Sequence, residues 1–121
     1  MAENERRRFI THNSKKIIFL DHSNLKGEAY LKAVNDSIQM ASQSSLKNRL
    51  ILVDLTGSII SNEVLQVLKT LSSASSPSIM KTAVIGAQGM QLFFLKAIAT
   101  SSNMNIGTFQ TQDEALEWLT A

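Results

Sequence analysis

Three consecutive residues, Asp21, His22 and Ser23, have the side-chain types of a hydrolase triad. In such a triad the nucleophile, the base and the orienting carboxylate must lie within hydrogen-bond distance of one another. The residues from Lys16 to Asp21 have the composition of a β-strand, and neighbours in an extended strand point to opposite faces. We therefore assign no catalytic residue, and we expect His22 to make a local hydrogen bond at a strand end.

Asp21 and Asp54 both lie near predicted strand ends, where receiver domains place magnesium ligands and a phosphoaccepting aspartate. This chain has no acidic pair after its first strand and no lysine-proline pair near its last one. An aspartyl phosphate would therefore lack its usual neutralising partners. We expect Asp54 to fix the loop through Thr56 and Gly57 instead.

Metal and cofactor sites are not predicted. The chain has no cysteine and only two histidines, which excludes a thiolate site and makes a poor zinc shell. Gly86 and Gly89 flank a strand-to-helix turn whose amides could bind an anion. That turn lacks the glycine pattern of dinucleotide sites and the lysine of phosphate-binding loops, so a tight turn is the favoured interpretation and anion binding the alternative.

The segment from Met90 to Ser101 is unusually apolar for a helix that covers a sheet. A core stripe of Met90, Phe93, Phe94 and Ala97 leaves Leu92, Leu95 and Ala99 near the opposite edge. An exposed apolar patch is typical of a partner site or an apolar-ligand site. The candidate residues are Leu92, Phe93, Phe94, Leu95 and Ala99, and complete burial by flanking helices is the alternative.

Length and charge restrict the possible functions further. The 121 residues are predicted to form one domain, with residues 1–8 as a flexible tail, and the net charge of +2 disfavours nucleic-acid binding. The longest apolar run is about half of the roughly 20 residues that span a bilayer. We therefore predict no transmembrane segment, and the lack of cysteine and of a signal-peptide pattern favours a cytoplasmic protein.

Apolar patterning predicts an α/β fold with the order β-β-α-β-α-β-α-β-α and a mostly parallel sheet. A hairpin of Phe9–His12 and Lys16–Asp21 opens the chain, with Asn13 to Lys15 as its turn, and a helix follows from Gly27. The apolar run from Leu50 to Leu55 is typical of a central strand that is covered on both faces. Further strands are predicted at Ala83–Ile85 and Ile106–Phe109.

Two helix starts carry capping signals. Ser61 can cap the helix after the central strand, and Glu63 complements its dipole. Thr111 and Glu114 have the spacing of a capping box, in which the hydroxyl accepts from an amide and the carboxylate accepts from the cap amide. The last helix is predicted to bury Ala115, Leu116 and Leu119, with Trp118 beside them.

The residues from Ile51 to Gly57, Ile-Leu-Val-Asp-Leu-Thr-Gly, resemble the central strand of STAS domains and their SpoIIAA-like relatives. The stretch from Val84 to Met90, and the passage from Phe109 into the last helix, resemble small bacterial SpoIIAA-like proteins. The likeness extends from Ile17 to Leu119. It implies a SpoIIAA-like fold, and relatives that are regulatory partners or are uncharacterised.

In the anti-sigma-factor antagonists of this superfamily, a serine at the start of the helix after the central strand is a phosphorylation switch. The matching residues here are Ser61, Asn62 and Glu63, close to Asp54. The glycine that follows the switch serine in those proteins is missing. The resemblance thus implies a regulatory region at these positions, with N-capping as the favoured role of Ser61.

The favoured function is a non-catalytic regulatory or protein-interaction module, with a protein partner or a second copy bound at the apolar helix. The alternative is a carrier or sensor of a small apolar, lipid-like ligand, which rests on the likeness of SpoIIAA-like folds to CRAL-TRIO lipid-binding domains. Fold does not determine activity, so both hypotheses depend on which apolar residues are exposed.

Overall fold

The computed structural model describes residues 6–43, 49–64, 66, 79–102 and 105–121. Residues 62–64 and 66 are helical and belong to a helical segment that begins at Asn62. With that segment, the order of elements is the predicted one. The other elements are β1 (Arg7–His12), β2 (Lys15–Asp21), α1 (Gly27–Gln43), β3 (Arg49–Asp54), β4 (Ile79–Ile85), α2 (Met90–Ser102), β5 (Ile106–Phe109) and α3 (Gln112–Thr120).

The strands form one five-stranded sheet in the order β1-β2-β3-β4-β5. β1 pairs with β2 antiparallel, and the remaining neighbours are parallel. Successive parallel strands in sequential order are joined by crossovers of one hand, so their helices fall on the same face. Residues of α1, of the segment at Asn62 and of α2 accordingly share one core cluster, whereas α3 packs in a cluster on the other face.

The hairpin differs from the sequence prediction at both ends. Residues 1–8 were expected to be a tail, but β1 begins at Arg7, and the Arg8 guanidinium lies 4.5 Å from the centre of the Phe19 ring. The turn consists of Asn13 and Ser14 alone, both with positive φ. A two-residue turn of this kind matches the twist of a hairpin, which brings Lys15 into β2.

β3 is the central strand, as predicted. Leu50 and Leu52 are buried in the cluster beneath α3, and Ile51 is buried on the opposite face with Ile18 of β2. The unbroken apolar run of this strand therefore serves both layers of the core. Two covered faces on the strands leave the loops at the strand ends as the places where polar groups can gather.

α3 is fixed at both termini. The Glu114 amide donates to the Thr111 hydroxyl oxygen at 3.2 Å, which confirms the predicted cap. The Glu114 carboxylate accepts from the Thr111 hydroxyl at 3.1 Å, rather than from the cap amide as expected. At the other end, the ammonium groups of Lys15 and Lys81 donate to the carbonyls of Thr120 and Trp118, where cations complement the helix dipole.

We expect Thr111→Ala to lower the free energy of unfolding by about 1 kcal/mol, the usual cost of losing an N-cap hydrogen bond. Gln112→Ala is the matched control, because Gln112 is exposed in the first turn of the same helix. Urea denaturation of the three proteins measures the difference. Equal midpoints for wild type and Thr111→Ala would contradict the prediction.

Candidate functional site

The loops at the carboxyl ends of β2 and β3 use the same turn twice. Asp21 and Asp54 are neighbours in the parallel register. The Oδ1 atom of Asp21 accepts from the amide and hydroxyl of Ser23, at 3.0 and 2.5 Å. The Oδ1 atom of Asp54 accepts from the amide and hydroxyl of Thr56, at 2.9 and 2.6 Å. The structural role predicted for Asp54 is confirmed, and both carboxylates brace their own loops.

The backbone pairing of the sheet continues into these loops. The Asn24 amide donates to the Thr56 carbonyl at 2.8 Å, and the Leu55 amide donates to the Ile85 carbonyl at 2.8 Å. Gly86 follows β4 with a φ of +79°, and a Cβ atom there would lie 2.6 Å from the Thr56 nitrogen. Only glycine permits so close a backbone approach at positive φ.

A cleft of about 740 Å³ opens beside these loops, at the carboxyl edge of β3, β4 and β5. Ligand sites of open α/β sheets commonly lie at this edge. Every lining residue in the described part of the chain is uncharged. The lining residues are Thr56, Gly57, Ser58, Ile59, Ile60, Gly86, Gln88, Gln91, Phe94 and Gln110.

Gln91 joins the two walls of the cleft. Its Nε2 atom donates to the carbonyl of Ser58 at 2.6 Å, and its Oε1 atom accepts from the Gln88 amide at 3.1 Å. The first turn of α2 is thereby tied to the loop after β3. An anion bound in the turn from Gly86 to Gly89 would need the Gln88 amide, which already donates to Gln91. Gly86 lines the cleft, and Gly89 is not among the described lining residues.

The predicted faces of α2 are wrong for two residues. Leu95 was expected near the outer edge, but it is 8% exposed and packs with Val84 and Val64 in the core. Phe93 was expected in the core stripe, but it is 67% exposed. Gln91 lies on the same helical face as Leu95, four positions later, so the hydrogen bond to Ser58 and the burial of Leu95 fit the same orientation of the helix.

The cleft has an exposed apolar rim. Among the described large hydrophobic residues, Phe93 and Ile59 are the most exposed, at 67% and 60%, and Leu92 is also exposed. Ile59 and Phe94 line the cleft, and the Phe93 ring meets the Phe94 ring edge-on with centroids 6.4 Å apart. Of the remaining candidates on α2, Phe94 and Ala99 are half-buried.

The region implied by the family resemblance lies beside the cleft and does not line it. Ser61 Oγ accepts from the Val64 amide at 3.2 Å, which confirms its role as an N-cap. Asn62 and Glu63 are exposed in the first helical turn. The regulatory role that the resemblance implies for Ser61, Asn62 and Glu63 stays a prediction.

His22 is buried, and its bonding differs from the expectation. Its Nε2 atom lies 2.9 Å from the hydroxyl of Ser37 on α1, rather than near a sequence neighbour, and its ring meets Tyr30 edge-on. Asp21 binds Ser23 instead of the imidazole, so the three triad side chains do not converge. Burial, followed by the charge of Arg7, lowers the pKa of His22 to about 4.

Neighbouring groups titrate away from their ordinary ranges as well. Burial raises the pKa of Tyr30 to about 12, although a hydrogen bond with Ser58 opposes the shift. The pKa of Asp21 lies below its usual value. Burial by itself would raise this pKa, but the Ser23 hydrogen bonds and the Arg6 charge lower it by more. His22 and Tyr30 are therefore both uncharged at neutral pH, whereas the nearby Asp21 carboxylate is ionised.

The architecture has a counterpart among solved structures. The crystal structure of an uncharacterised DUF3478-family protein from Shewanella loihica PV-4, described as having a SpoIIAA-like fold, matches this chain with a TM-score of 0.71. This chain has a SpoIIAA-like fold. The alignment covers 93% of this chain and 91% of the other, and the sequences are 15% identical. At that identity the SpoIIAA-like likeness concerns the fold alone.

No family model matches the sequence, and no curated protein matches it. Among the helices that the structure describes, none has the length and apolar character needed to cross a membrane. Within the same described ranges, no three or more histidine or acidic side chains come together as a metal site. The cleft is the candidate functional site of this SpoIIAA-like fold because of its volume, its position at the carboxyl edge of the sheet and its lining residues.

Sequence reasoning did not assign a role to Ser58, Ile59, Gln91 and Gln110. A signal for Gln91 was present, because it is the polar residue that interrupts an otherwise apolar helical start. Such a residue commonly makes a specific hydrogen bond. Ser58 and Gln110 become neighbours of Gln91 in the cleft only because their strands are close in the sheet.

We expect Gly86→Ala to destabilise the protein by on the order of 3 kcal/mol, since strain at positive φ adds to a clash with the Thr56 backbone. Gly89→Ala is the matched control, with a similar φ and open space around the added atom. It should cost only about 1 kcal/mol. Denaturation curves compare the two, and equal losses would show that the loop contact does not matter.

We also expect the buried His22 to make folding sensitive to mild acid. Its pKa of about 4 in the folded state lies below the ordinary 6.5. The corresponding stability is therefore complete above pH 6.5 and is lost as the pH falls towards 4, by about 3 kcal/mol in total. His22→Gln keeps a polar group near Ser37 and should flatten this part of the curve. Parallel curves for the two proteins between pH 6.5 and 4 would contradict the assignment.

Proposed function

We propose that this chain is a non-catalytic protein-interaction module that binds a polypeptide segment in the cleft at the carboxyl edge of its sheet. The observation that carries the proposal is the pairing of an uncharged cleft with an exposed apolar rim at Ile59 and Phe93. Burial of a large apolar side chain contributes about 1.5–3 kcal/mol to association, and aromatic residues are common among the strongest contacts of interfaces.

The polar groups of the cleft suit a polypeptide backbone. Gln88, Gln91 and Gln110 have carboxamides, which can both donate to a carbonyl and accept from an amide. Gln91 is committed to Ser58, so it shapes the wall, whereas Gln88 and Gln110 are exposed side chains. An extended segment could bond to these carboxamides while one apolar side chain contacts Phe94.

The hydroxyl groups of the cleft support a binding role over catalysis. The Thr56 hydroxyl donates to Asp54, and the Ser58 hydroxyl donates to the Leu55 carbonyl at 2.8 Å. No histidine, lysine or acidic side chain belongs to the described lining. The carboxylate bonded to the Thr56 hydroxyl is that of Asp54, and the same Oδ1 atom also accepts from the Thr56 amide, which is the geometry of a loop brace.

The carrier hypothesis fits the same cleft less well. Pockets for small apolar ligands are mostly apolar with few polar groups. Here three glutamines, Thr56 and Ser58 contribute to the lining. The apolar groups lie mainly at the rim, where a broad partner surface can cover them.

Site-specific photocrosslinking in the cells that make the protein tests the proposal. A benzophenone amino acid replaces Ile59 or Phe93, and the same amino acid at Asp113, exposed on α3, is the control. We expect one discrete adduct from both cleft positions and none from position 113. The adduct from position 59 should be lost in a folded Phe93→Ser variant, because the two residues contact the same partner.

The mass of the adduct identifies the partner class. An adduct of twice the 13.3 kDa chain mass shows a second copy of the chain, and any other discrete protein adduct shows a different partner. Equal labelling from position 113, or no adduct from either cleft position, would overturn the proposal. In that case mass spectrometry of the purified native protein would show whether a small apolar molecule occupies the cleft.

A further inference from the structure

The two edges of the sheet differ in how they are protected against pairing with another strand. β1 forms one edge and carries Arg7 and Arg8, and charged side chains on an edge strand oppose further pairing. β5 forms the other edge, and its sequence Ile-Gly-Thr-Phe has neither a charged residue nor a proline. Its ladder with β4 runs without a register shift, so no bulge turns the strand away. Among the described strands, β5 is therefore an edge that remains open to pairing.

The strand register shows which backbone groups of β5 face outwards. The Thr82 amide donates to the Asn105 carbonyl at 2.9 Å, and Thr82 is paired with Ile106. Because backbone groups point to alternate sides along a strand, those of Asn105 and Gly107 face β4. The amides and carbonyls of Ile106 and Thr108 consequently point away from the sheet, and no strand in the described ranges lies beyond them.

These outward groups are arranged symmetrically about Gly107. An antiparallel copy of β5 centred on this glycine would place Ile106 opposite Thr108 of the second copy, and each such pair exchanges two hydrogen bonds. The two glycines would form a pair without hydrogen bonds, in which Cα atoms approach to about 4.5 Å. Glycine has no side chain to oppose this approach. A two-fold axis through Gly107, perpendicular to the sheet, thus satisfies the outward groups of both neighbouring residues.

An aromatic pair lies over Gly107 on the face covered by α3. A Cβ atom at position 107 would lie 2.9 Å from Phe109 Cε2 and 3.3 Å from Trp118 Cη2. The two ring centroids are 5.3 Å apart, and both side chains are only half-buried. The two-fold axis keeps each face of the sheet on the same side, so the aromatic pairs of two copies would lie side by side above the glycines. Aromatic residues are enriched in the cores of interfaces, so the exposed part of each pair suits this contact.

We propose that the chain forms a homodimer in which β5 pairs antiparallel with β5 of a second copy, so that the two sheets become one continuous sheet. The arrangement of the edge about Gly107 favours a second copy over a different protein, because a two-fold dimer requires one surface that matches itself. The inference goes beyond the proposed function, since no residue of β5 belongs to the described lining of the cleft.

A proline at position 108 tests the edge. Thr108→Pro removes an outward amide but no hydrogen bond to β4, so the fold should be kept. Thr11→Pro is the matched control on the other edge. The Arg6 carbonyl accepts from the Asp21 amide across the hairpin, and alternation along β1 therefore turns the Thr11 amide outwards. Sedimentation equilibrium should give a dimer for wild type and Thr11→Pro, and a dissociation constant at least about tenfold larger for Thr108→Pro. Circular dichroism checks the fold of each protein.

Disulfide trapping tests the register and does not depend on the proline variant. The chain has no cysteine, so single-cysteine variants can be mixed. Ile106→Cys and Thr108→Cys should form a mixed disulfide in preference to either symmetric one, because positions 106 and 108 are opposite each other with Cα atoms about 5.5 Å apart. Thr11→Cys mixed with Thr108→Cys is the control and should show no such preference. Intact mass distinguishes the mixed from the symmetric products.

Three results would overturn the proposal. The first is a wild-type protein that stays monomeric at the highest soluble concentration, and the second is a folded Thr108→Pro variant that dimerises as tightly as Thr11→Pro. The third is a mixture of the two β5 cysteine variants without a preferred mixed disulfide, which would place any dimer contact elsewhere. The crosslinks at Ile59 and Phe93 concern a different surface, so each proposal can fail without the other.

Discussion

The close approach of the loops after β3 and β4 is the constraint on which the rest of the site depends. The Leu55 amide bonds to the Ile85 carbonyl, and Gly86 lies against the backbone of Thr56. This contact extends the parallel ladder beyond the strands and places Thr56 to Ile60 opposite the start of α2. Gln91 then closes the gap through Ser58. The cleft is the space that remains between these two segments.

The two faces of the sheet are covered unequally, and this asymmetry follows from strand order. Three crossover segments share one face, whereas on the other face the described part of the chain has α3 packed over β3, β4 and β5. α3 has only nine residues. Its position depends on hydrogen bonds from the hairpin as well as on packing, since Asn13 and Lys15 bond to its last turn. The hairpin therefore serves as a brace for the final helix, in addition to being the edge of the sheet.

The cleft and a small concavity lined by Arg6, Arg7 and Lys32 are connected through one short segment. The carbonyl of Leu25 accepts from the Ile59 amide at 2.9 Å, and Leu25 also lines the pocket of Arg6, Arg7 and Lys32.

Sequence patterns were enough to predict the class of fold, the order of elements, the central strand and both helix caps. These depend on local patterns: the apolar run at Leu50 to Leu55, the spacing of Thr111 and Glu114, and the cap at Ser61. The tertiary structure alone decided that Leu95 is core and Phe93 is exposed, because an almost uniformly apolar helix has no period that reveals its buried face. It also decided that Arg7 and Lys32 both pair with Asp36 and that Gln91 bonds to Ser58. Residues far apart in the chain become neighbours through strand pairing and crossover handedness, which local sequence patterns do not encode.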